Sequence, residues 1–290
     1  MRISLKTALL ISSVFFVQPA SVFGADEFEE ELKKIIDGAS KSFEFSVEEW
    51  LKDTIDSRVN KELSSDTGFS LAKRNSGGYF PVLNTSIKFT PLGYWFAETM
   101  LFYYTEQKEQ DAWEPDFVYR FGYEDWRPYA FSLVYSNYTG NRSIRDVSEQ
   151  YDRGSYSLTW NLPVPDFIAK PFLIEPEREI GCTAGMIYSP RYTIAEEEDG
   201  HDKIRGKISF SVPLYSSLHL SLTFFHYLDS GAQQPWDPDY TYELAWRGEY
   251  FSIAYKNYGG TRFPWRSDRP HDSGFADGSI GITWRLDWLK

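Results

Sequence analysis

The sequence predicts an all-β fold: a closed antiparallel transmembrane β-barrel of about twelve strands, built from two related five-strand units, with a short N-terminal helical segment. Three observations predict it. From about residue 80, apolar and polar residues alternate in about twelve short runs, which is the period of a β-strand. The phrase NYTGNR at 137–142 returns as NYGGTR at 257–262. Aromatic residues make up 18% of the chain and cluster near strand ends, as in the girdles of membrane barrels.

The first 24 residues have the pattern of a cleaved secretory signal peptide. Two basic residues precede the apolar run 8–17, and small residues follow at 21–24. We therefore expect an exported chain whose mature part begins near Ala25. No later stretch reaches the roughly 20 uninterrupted apolar residues of a spanning helix, so a membrane crossing would use strands.

Composition and motifs exclude several classes of function. The net charge of −12 argues against a nucleic-acid partner, because phosphate binding needs a basic surface. The single cysteine, Cys182, leaves no internal disulfide framework. The sequence has no phosphate loop, dinucleotide fingerprint or Cys/His metal spacing. It therefore predicts no cofactor and no metal site.

Residues 25–66 are predicted to form an acidic amphipathic helical segment. Within it, residues 25–64 hold twelve acidic and six basic side chains, and apolar residues recur at helical spacing. The stretch 64–78 breaks this pattern and predicts a linker. The barrel domain is therefore placed at 80–290, with the helices either plugging it or lying on its periplasmic side.

The repeated phrase belongs to a longer internal repeat. The two five-strand units are predicted at about 81–163 and 205–288, and the segment between them adds two strands, one of them at 180–193. Two related sheets joined edge to edge favour a closed barrel, because closure removes exposed strand edges. The alignment pairs residues expected at the barrel rim, namely Asp116 with Asp239, Asn137 with Asn257, and Arg142 with Arg262.

Alternation alone does not say which face of the strands is buried. A soluble barrel or sandwich would bury the apolar face, whereas a membrane barrel exposes it to lipid. Charges of both signs on the polar faces favour an aqueous lumen. Glu98 conflicts with the assignment of charged residues to the lumen, since it is in phase with Phe96 and Phe102 on the face assigned to lipid. We therefore expect Glu98 near an interface, or a different register for this strand. The predicted lumen charges are Arg120, Glu124, Glu243, Arg247, Lys256 and Arg285.

In general form the chain resembles a Gram-negative outer-membrane β-barrel protein, with its signal peptide, helical preface, about twelve strands and final aromatic strand. The segment YSNYTGNRS at 135–143 also resembles the active strand of outer-membrane phospholipase A, a twelve-stranded barrel family with a pattern like Y-N-H-D-S-N-G-R-S. Asn137 stands at the family's histidine position and Thr139 at its serine position, so no general base is present. The resemblance implies shared barrel architecture more than shared activity.

Three functions follow from these patterns. The leading one is a narrow channel or envelope-support barrel in the cell outer membrane, whose partners would be outer-membrane lipid, the barrel-assembly machinery and a neighbouring envelope or export complex. The first alternative is a lipid-modifying enzyme of phospholipase or acyl hydrolase type, with His219 and Thr139 as candidate catalytic residues; His219 lies beside Ser221, and Glu243 could complete a Ser–His–acid set. The second alternative is a soluble secreted carbohydrate-binding β-protein.

Overall fold

Twelve antiparallel strands form one closed barrel in the computed structural model of the chain. Each strand pairs with its neighbours in sequence, and the first strand pairs with the last. The predicted fold class, a closed antiparallel barrel, is therefore confirmed. The strands are β1 (Glu62–Lys73), β2 (Tyr79–Leu92), β3 (Trp95–Tyr104), β4 (Phe117–Tyr123), β5 (Phe131–Asn137), β6 (Ser155–Pro163), β7 (Gly181–Thr193), β8 (Asp199–Tyr215), β9 (Leu218–Tyr227), β10 (Tyr240–Arg247), β11 (Phe251–Asn257) and β12 (Ser279–Leu289).

The structure describes the barrel and most of its connections. Apart from Lys33, the predicted signal peptide and the helical segment up to residue 61 lie outside the described residues. Within the described part, no helix is long and apolar enough to cross a bilayer. The described residues are 33, 62–73, 78–110, 114–137, 141, 153–175, 178–194, 199–257, 261–263, 265–266 and 278–289.

The barrel begins earlier than predicted. Because β1 occupies Glu62–Lys73, most of the linker expected at 64–78 is a strand, and the barrel domain starts at 62 rather than 80. Small and polar residues fill most of β1, and its large apolar residues are few, among them Phe69 and Leu71. Such a strand carries little periodic hydrophobic signal. By contrast, the strand predicted at 180–193 is confirmed as β7.

The even number of strands brings the start of β1 and the end of β12 to the same end of the barrel, which we call the terminal end. The opposite end is the loop end. At the terminal end, two-residue turns at 93–94 and 216–217 follow β2 and β8. Longer connections at 105–116 and 228–239 follow β3 and β9 at the loop end. A pattern of short turns at one end and long loops at the other is typical of membrane barrels.

One long connection, 164–180 between β6 and β7, lies at the terminal end. It contains a short helix, α1 (Asp166–Ala169), followed by a 3-10 turn. Ala169, Leu173 and Ile180 form a buried cluster against two β8 side chains, Phe210 and Val212. This connection therefore packs on the barrel wall and covers part of it.

The two predicted repeat units correspond to opposite halves of the barrel, β2 to β6 and β8 to β12, six strands apart. Equivalent backbone hydrogen bonds hold the β3–β4 and β9–β10 connections in place. The N–H of Phe102 donates to the Asp116 carbonyl at 2.7 Å, as Phe225 does to Asp239 at 2.8 Å; the N–H of Asp116 donates to the Asn141 carbonyl at 2.7 Å, as Asp239 does to Thr261 at 2.7 Å.

Side chains alternate between two different environments along each strand. On β3, Leu101 and Tyr103 are 49% and 60% exposed, whereas Phe96 and Tyr104 are buried. On β5, Leu133 is 49% exposed, and its neighbour Ser132 is buried. Since a closed sheet has only an inner and an outer surface, the exposed apolar set lies on the outer one. The described large apolar side chains thus face outward along much of the wall.

Glycine is required where neighbouring strands approach closely. A Cβ on Gly185 would lie 2.2 Å from the Leu158 carbonyl oxygen, whereas a Cβ on Gly206 would meet only the His226 carbonyl oxygen at 3.9 Å. We expect Gly185→Ala to destabilise the barrel by about 1–3 kcal/mol, because backbone must move. Gly206→Ala is the matched control and should leave stability unchanged or slightly higher. Urea midpoints in detergent measure both, and equal midpoints would contradict this packing.

Candidate functional site

A network of ion pairs connects β2, β3 and β4 on the inner face. Lys88 Nζ lies 3.1 Å from Glu124 Oε2. Arg120 bridges two carboxylates, with Nη2 2.6 Å from Glu124 Oε1 and Nε 3.1 Å from Glu98 Oε2. The Ser86 hydroxyl donates to Glu98 Oε1 at 2.7 Å. Two cations and two carboxylates make this network neutral.

The structure resolves the conflict at Glu98. Glu98 does share a face with Phe96, but the assignment of that face to lipid was wrong. The register places Glu98 directly between Lys88 and Arg120 on the neighbouring strands. The Phe96 ring supports both cations, with its centroid 4.6 Å from Lys88 Nζ and 4.8 Å from Arg120 Cζ. An inner face that contains aromatic residues therefore has the same sequence pattern as a lipid-facing one.

These charged groups face the interior of the barrel. Lys207 on β8 interacts electrostatically with Arg120 and Glu124, which lie on and next to β4. On β3 and β4, Leu101 and Phe121, which are out of phase with Glu98 and Arg120, are 49% and 50% exposed, so the charged groups lie on the opposite, inner face. A twelve-stranded barrel is expected to enclose a narrower interior than the larger porins, which leave an aqueous channel.

A second set of charges, also predicted for the lumen, lies on β10 and β11. Glu243 Oε2 is 3.3 Å from Lys256 Nζ, and Glu243 Oε1 is 3.5 Å from Arg247 Nη2. In the repeat, Glu243 takes the place of Arg120, so the same i,i+4 ion pair occurs with reversed polarity. The remaining predicted charge, Arg285, pairs in register with Asp66 across β12 and β1; its side chain lies outside the described part.

The paired rim aspartates fix the loops. Asp239 is 3% exposed and accepts hydrogen bonds from the Phe263 backbone N–H at 3.0 Å and from Gln233 Nε2 at 2.9 Å. In the other unit Gln110 Nε2 donates to Asp116 Oδ1 at 3.0 Å, as Gln233 does to Asp239. Two arginines also contact Asp239. Arg266 Nη1 lies 3.1 Å and Arg262 Nη1 lies 3.6 Å from Asp239 Oδ1. Arg142, the repeat partner of Arg262, lies outside the described residues.

The asparagines of the repeated phrase are structural residues at the ends of β5 and β11. Asn137 Nδ2 donates to the Tyr119 hydroxyl at 3.2 Å, and Asn257 Nδ2 donates to the Tyr242 hydroxyl at 3.5 Å. Asn137 is fully buried and also accepts from Asn141 Nδ2 at 2.9 Å. These two asparagines thus tie the last residue of β5 to β4 and the last residue of β11 to β10.

The candidate catalytic residues do not form a relay among the described side chains. His219 Nδ1 lies 3.0 Å from the Ser217 carbonyl oxygen. In the register with β10, His219 lies opposite Ala245, whereas Ser221 lies opposite Glu243. Thr139, the other candidate, lies outside the described residues. The structure therefore brings no base to a nucleophile here.

The predicted lumen charges left out three cations on β8. Lys203, Arg205 and Lys207 follow one another at a period of two, which places all three on one face. Lys203 is buried against Asp237, and Arg205 Nη1 lies 3.9 Å from Asp237 Oδ1. Asp237 precedes β10 in a loop, so only the fold brings it to β8. The period-two spacing was the available signal.

A cavity of about 390 Å³ opens at the loop end beside the β7–β8 hairpin. Tyr135, Tyr156, Arg191, Asp199 and His201 are among its lining residues. Arg191 Nε donates to Asp199 Oδ2 at 2.9 Å, and this hydrogen bond lowers the pKa of Asp199. Within the described part of the chain, no group of three or more His, Cys, Asp or Glu side chains could hold a metal ion.

Comparisons with known proteins do not identify a family. No protein-family model matches the chain, and no curated protein matches it. Among solved structures, the chain is similar to one titled "Salmonella typhi OmpF complex with Daunomycin", with a TM-score of 0.38 and 8% identity over 79% of this chain and 98% of that one. The functional conclusion therefore rests on the geometry of this chain.

Removing Arg120 tests the ion-pair network. Arg120→Met leaves Glu98 and Glu124 close together without their shared cation, and their side chains are only 14% and 11% exposed. We expect a loss of about 1–3 kcal/mol of unfolding free energy, because uncompensated charges are costly to bury. Arg247→Met is the control: that side chain is 49% exposed and should contribute about 0–1 kcal/mol. Urea titration measures the free energy of unfolding of both variants. An equal loss of this free energy in the two would contradict a stabilising role of the network.

Proposed function

We propose that this protein is an outer-membrane β-barrel that forms a narrow channel with a charged lumen. The observation that carries the proposal is the division of a closed barrel into an apolar outer surface and an ion-paired inner one. A soluble barrel has the opposite arrangement, because its apolar side chains fill the centre. The localisation and the partners proposed here follow from this division.

The outer surface suits contact with lipid. Leu83, Leu101, Leu133 and Ile253 are each more than two-fifths exposed, which is costly in water over a continuous area. Such side chains are stable when they face hydrocarbon. Outer-membrane lipid is therefore the first proposed partner. Insertion of such a wall would need the barrel-assembly machinery, and an envelope or export complex is a further proposed partner.

Aromatic side chains at both ends of the wall support the same placement. At the terminal end, Trp246 lies 5.1 Å from Phe251, centroid to centroid, and both are partly exposed. At the loop end, Phe263 stacks on Trp265 at 4.6 Å, and Trp265 is 77% exposed. Amphipathic rings favour the boundary between hydrocarbon and water. Aromatic side chains at both ends of the wall are expected of a barrel that spans a bilayer.

The inner surface suits a water-filled path. Glu98, Glu124 and Glu243 each lie within reach of two partners, and side chains of these pairs keep partial solvent exposure. Charges of both signs along a narrow lumen select among polar solutes. The lipid-enzyme alternative lacks a comparable observation, since His219 binds a backbone carbonyl. The carbohydrate-binding alternative does not explain why the apolar side chains are outside.

Recordings in planar bilayers test the channel. The wild-type protein should give single-channel conductance. Ser221→Trp places a bulky ring on the inner face of β9 and should reduce conductance by about half or more, since conductance follows pore width. Leu220→Trp adds the same ring to the outer face of the same strand and should not. No conductance from the folded wild-type barrel would remove the channel function, and equal currents from both variants would contradict the assignment of faces.

A further inference from the structure

Cations outnumber carboxylates along the inner face of β8. Lys203, Arg205 and Lys207 occupy successive inner positions, and Asp237 is their one carboxylate partner within ion-pair distance in the described part of the chain. Three cations and one carboxylate leave two positive charges. This excess lies inside a chain whose net charge is −12. This row of inner residues thus carries the opposite sign of charge from the protein as a whole.

Lys207 is the cation of this row that lacks a counterion. It makes no hydrogen bond or ion pair among the residues that the structure describes. Its nearest charged neighbours include Arg205 and Arg120, which repel it. Glu124 attracts it across the lumen but already binds Lys88 and Arg120. A cation in a narrow lumen among like charges is stabilised by a mobile anion.

The strand neighbours of Lys207 bring no negative charge to it. Lys207 pairs in register with Gly185 on one side and Phe225 on the other. Gly185 has no side chain, and the next residue across the sheet is the uncharged Thr159, whose Cγ2 would lie 2.7 Å from a Cβ on Gly185. Phe225 already supports the other cation, Arg205, whose Cζ lies 5.5 Å from the ring centroid. Lys207 thus has an uncharged neighbour on each adjoining strand, and the one carboxylate of the row, Asp237, is taken by Lys203 and Arg205.

We propose that Lys207, together with Arg205 and Arg120, forms an anion-binding station at mid-height in the lumen, taking small oxyanions such as inorganic phosphate or the carboxylate of a small solute. The station deepens the proposed channel function, on which its role in permeation rests. A channel whose narrow part binds anions passes them in preference to cations. The β10–β11 set adds to this preference, because Glu243 is shared by two cations.

Two measurements test the station. In a KCl gradient across a planar bilayer, the reversal potential of the wild-type channel should show a preference for chloride. Lys207→Glu should lower the chloride-to-potassium permeability ratio about fivefold, because it reverses a charge at the narrow part. Lys108→Glu makes the same change on an exposed loop residue and should leave the ratio unchanged. In detergent, calorimetric titration with inorganic phosphate should show binding that Lys207→Gln weakens about tenfold and Lys108→Gln does not.

The outcomes separate the station from the channel. A cation preference in the wild type, or an unchanged ratio in Lys207→Glu, overturns the station while leaving the channel intact. Absent conductance removes the channel, yet phosphate binding lost in Lys207→Gln would still support the station. Phosphate binding that is absent from the folded wild type, or equal in Lys207→Gln and Lys108→Gln, overturns the station. Retained electrophoretic mobility of the folded barrel shows that each variant is folded.

Discussion

The pairing of β1 with β12 closes the sheet, and the remaining features depend on this closure. Leu63 to Leu71 of β1 pair along β12, so every strand has two partners and no backbone edge is left open. Closure also separates an inside from an outside. Only then does simple alternation along each strand produce an apolar wall and an ion-paired interior. If the sheet were open, β4 and β8 would not border a common interior.

The two halves of the barrel share their framework but differ in their charges. Equivalent hydrogen bonds at Asp116 and Asp239 hold equivalent loops, and Asn137 and Asn257 fix equivalent strand ends. The inner faces of the two halves differ in charge. The half with Arg120 carries a neutral ion-pair network, and the half with Lys207 carries excess positive charge. The shared framework maintains the barrel, while the inner residues that differ between the halves give each half a different charge.

Much of this architecture was predictable because apolar and polar residues alternate with a period of two along most of the strands. The repeat located β2 to β6 and β8 to β12, and alternation located β7. β1 was not predicted, because its serine and glycine residues interrupt the alternation of apolar and polar positions. Glu98 was assigned to the wrong face because an inner face rich in aromatic residues has the same pattern as an outer one. The partners of Asp237 could not be predicted, since a loop carboxylate reaches β8 only once the barrel closes.

Spin labels placed one at a time along β9 test the central claim most directly. Leu220 and Leu222 lie on the outer surface by this account, and Ser221 and Thr223 lie in the lumen. In a reconstituted bilayer, labels at the leucine positions should collide with dissolved oxygen, which concentrates in hydrocarbon. Labels at the other two positions should collide with a water-soluble nickel chelate. The reverse pattern, or equal access to both reagents along the strand, would contradict a membrane-spanning barrel with a wet interior.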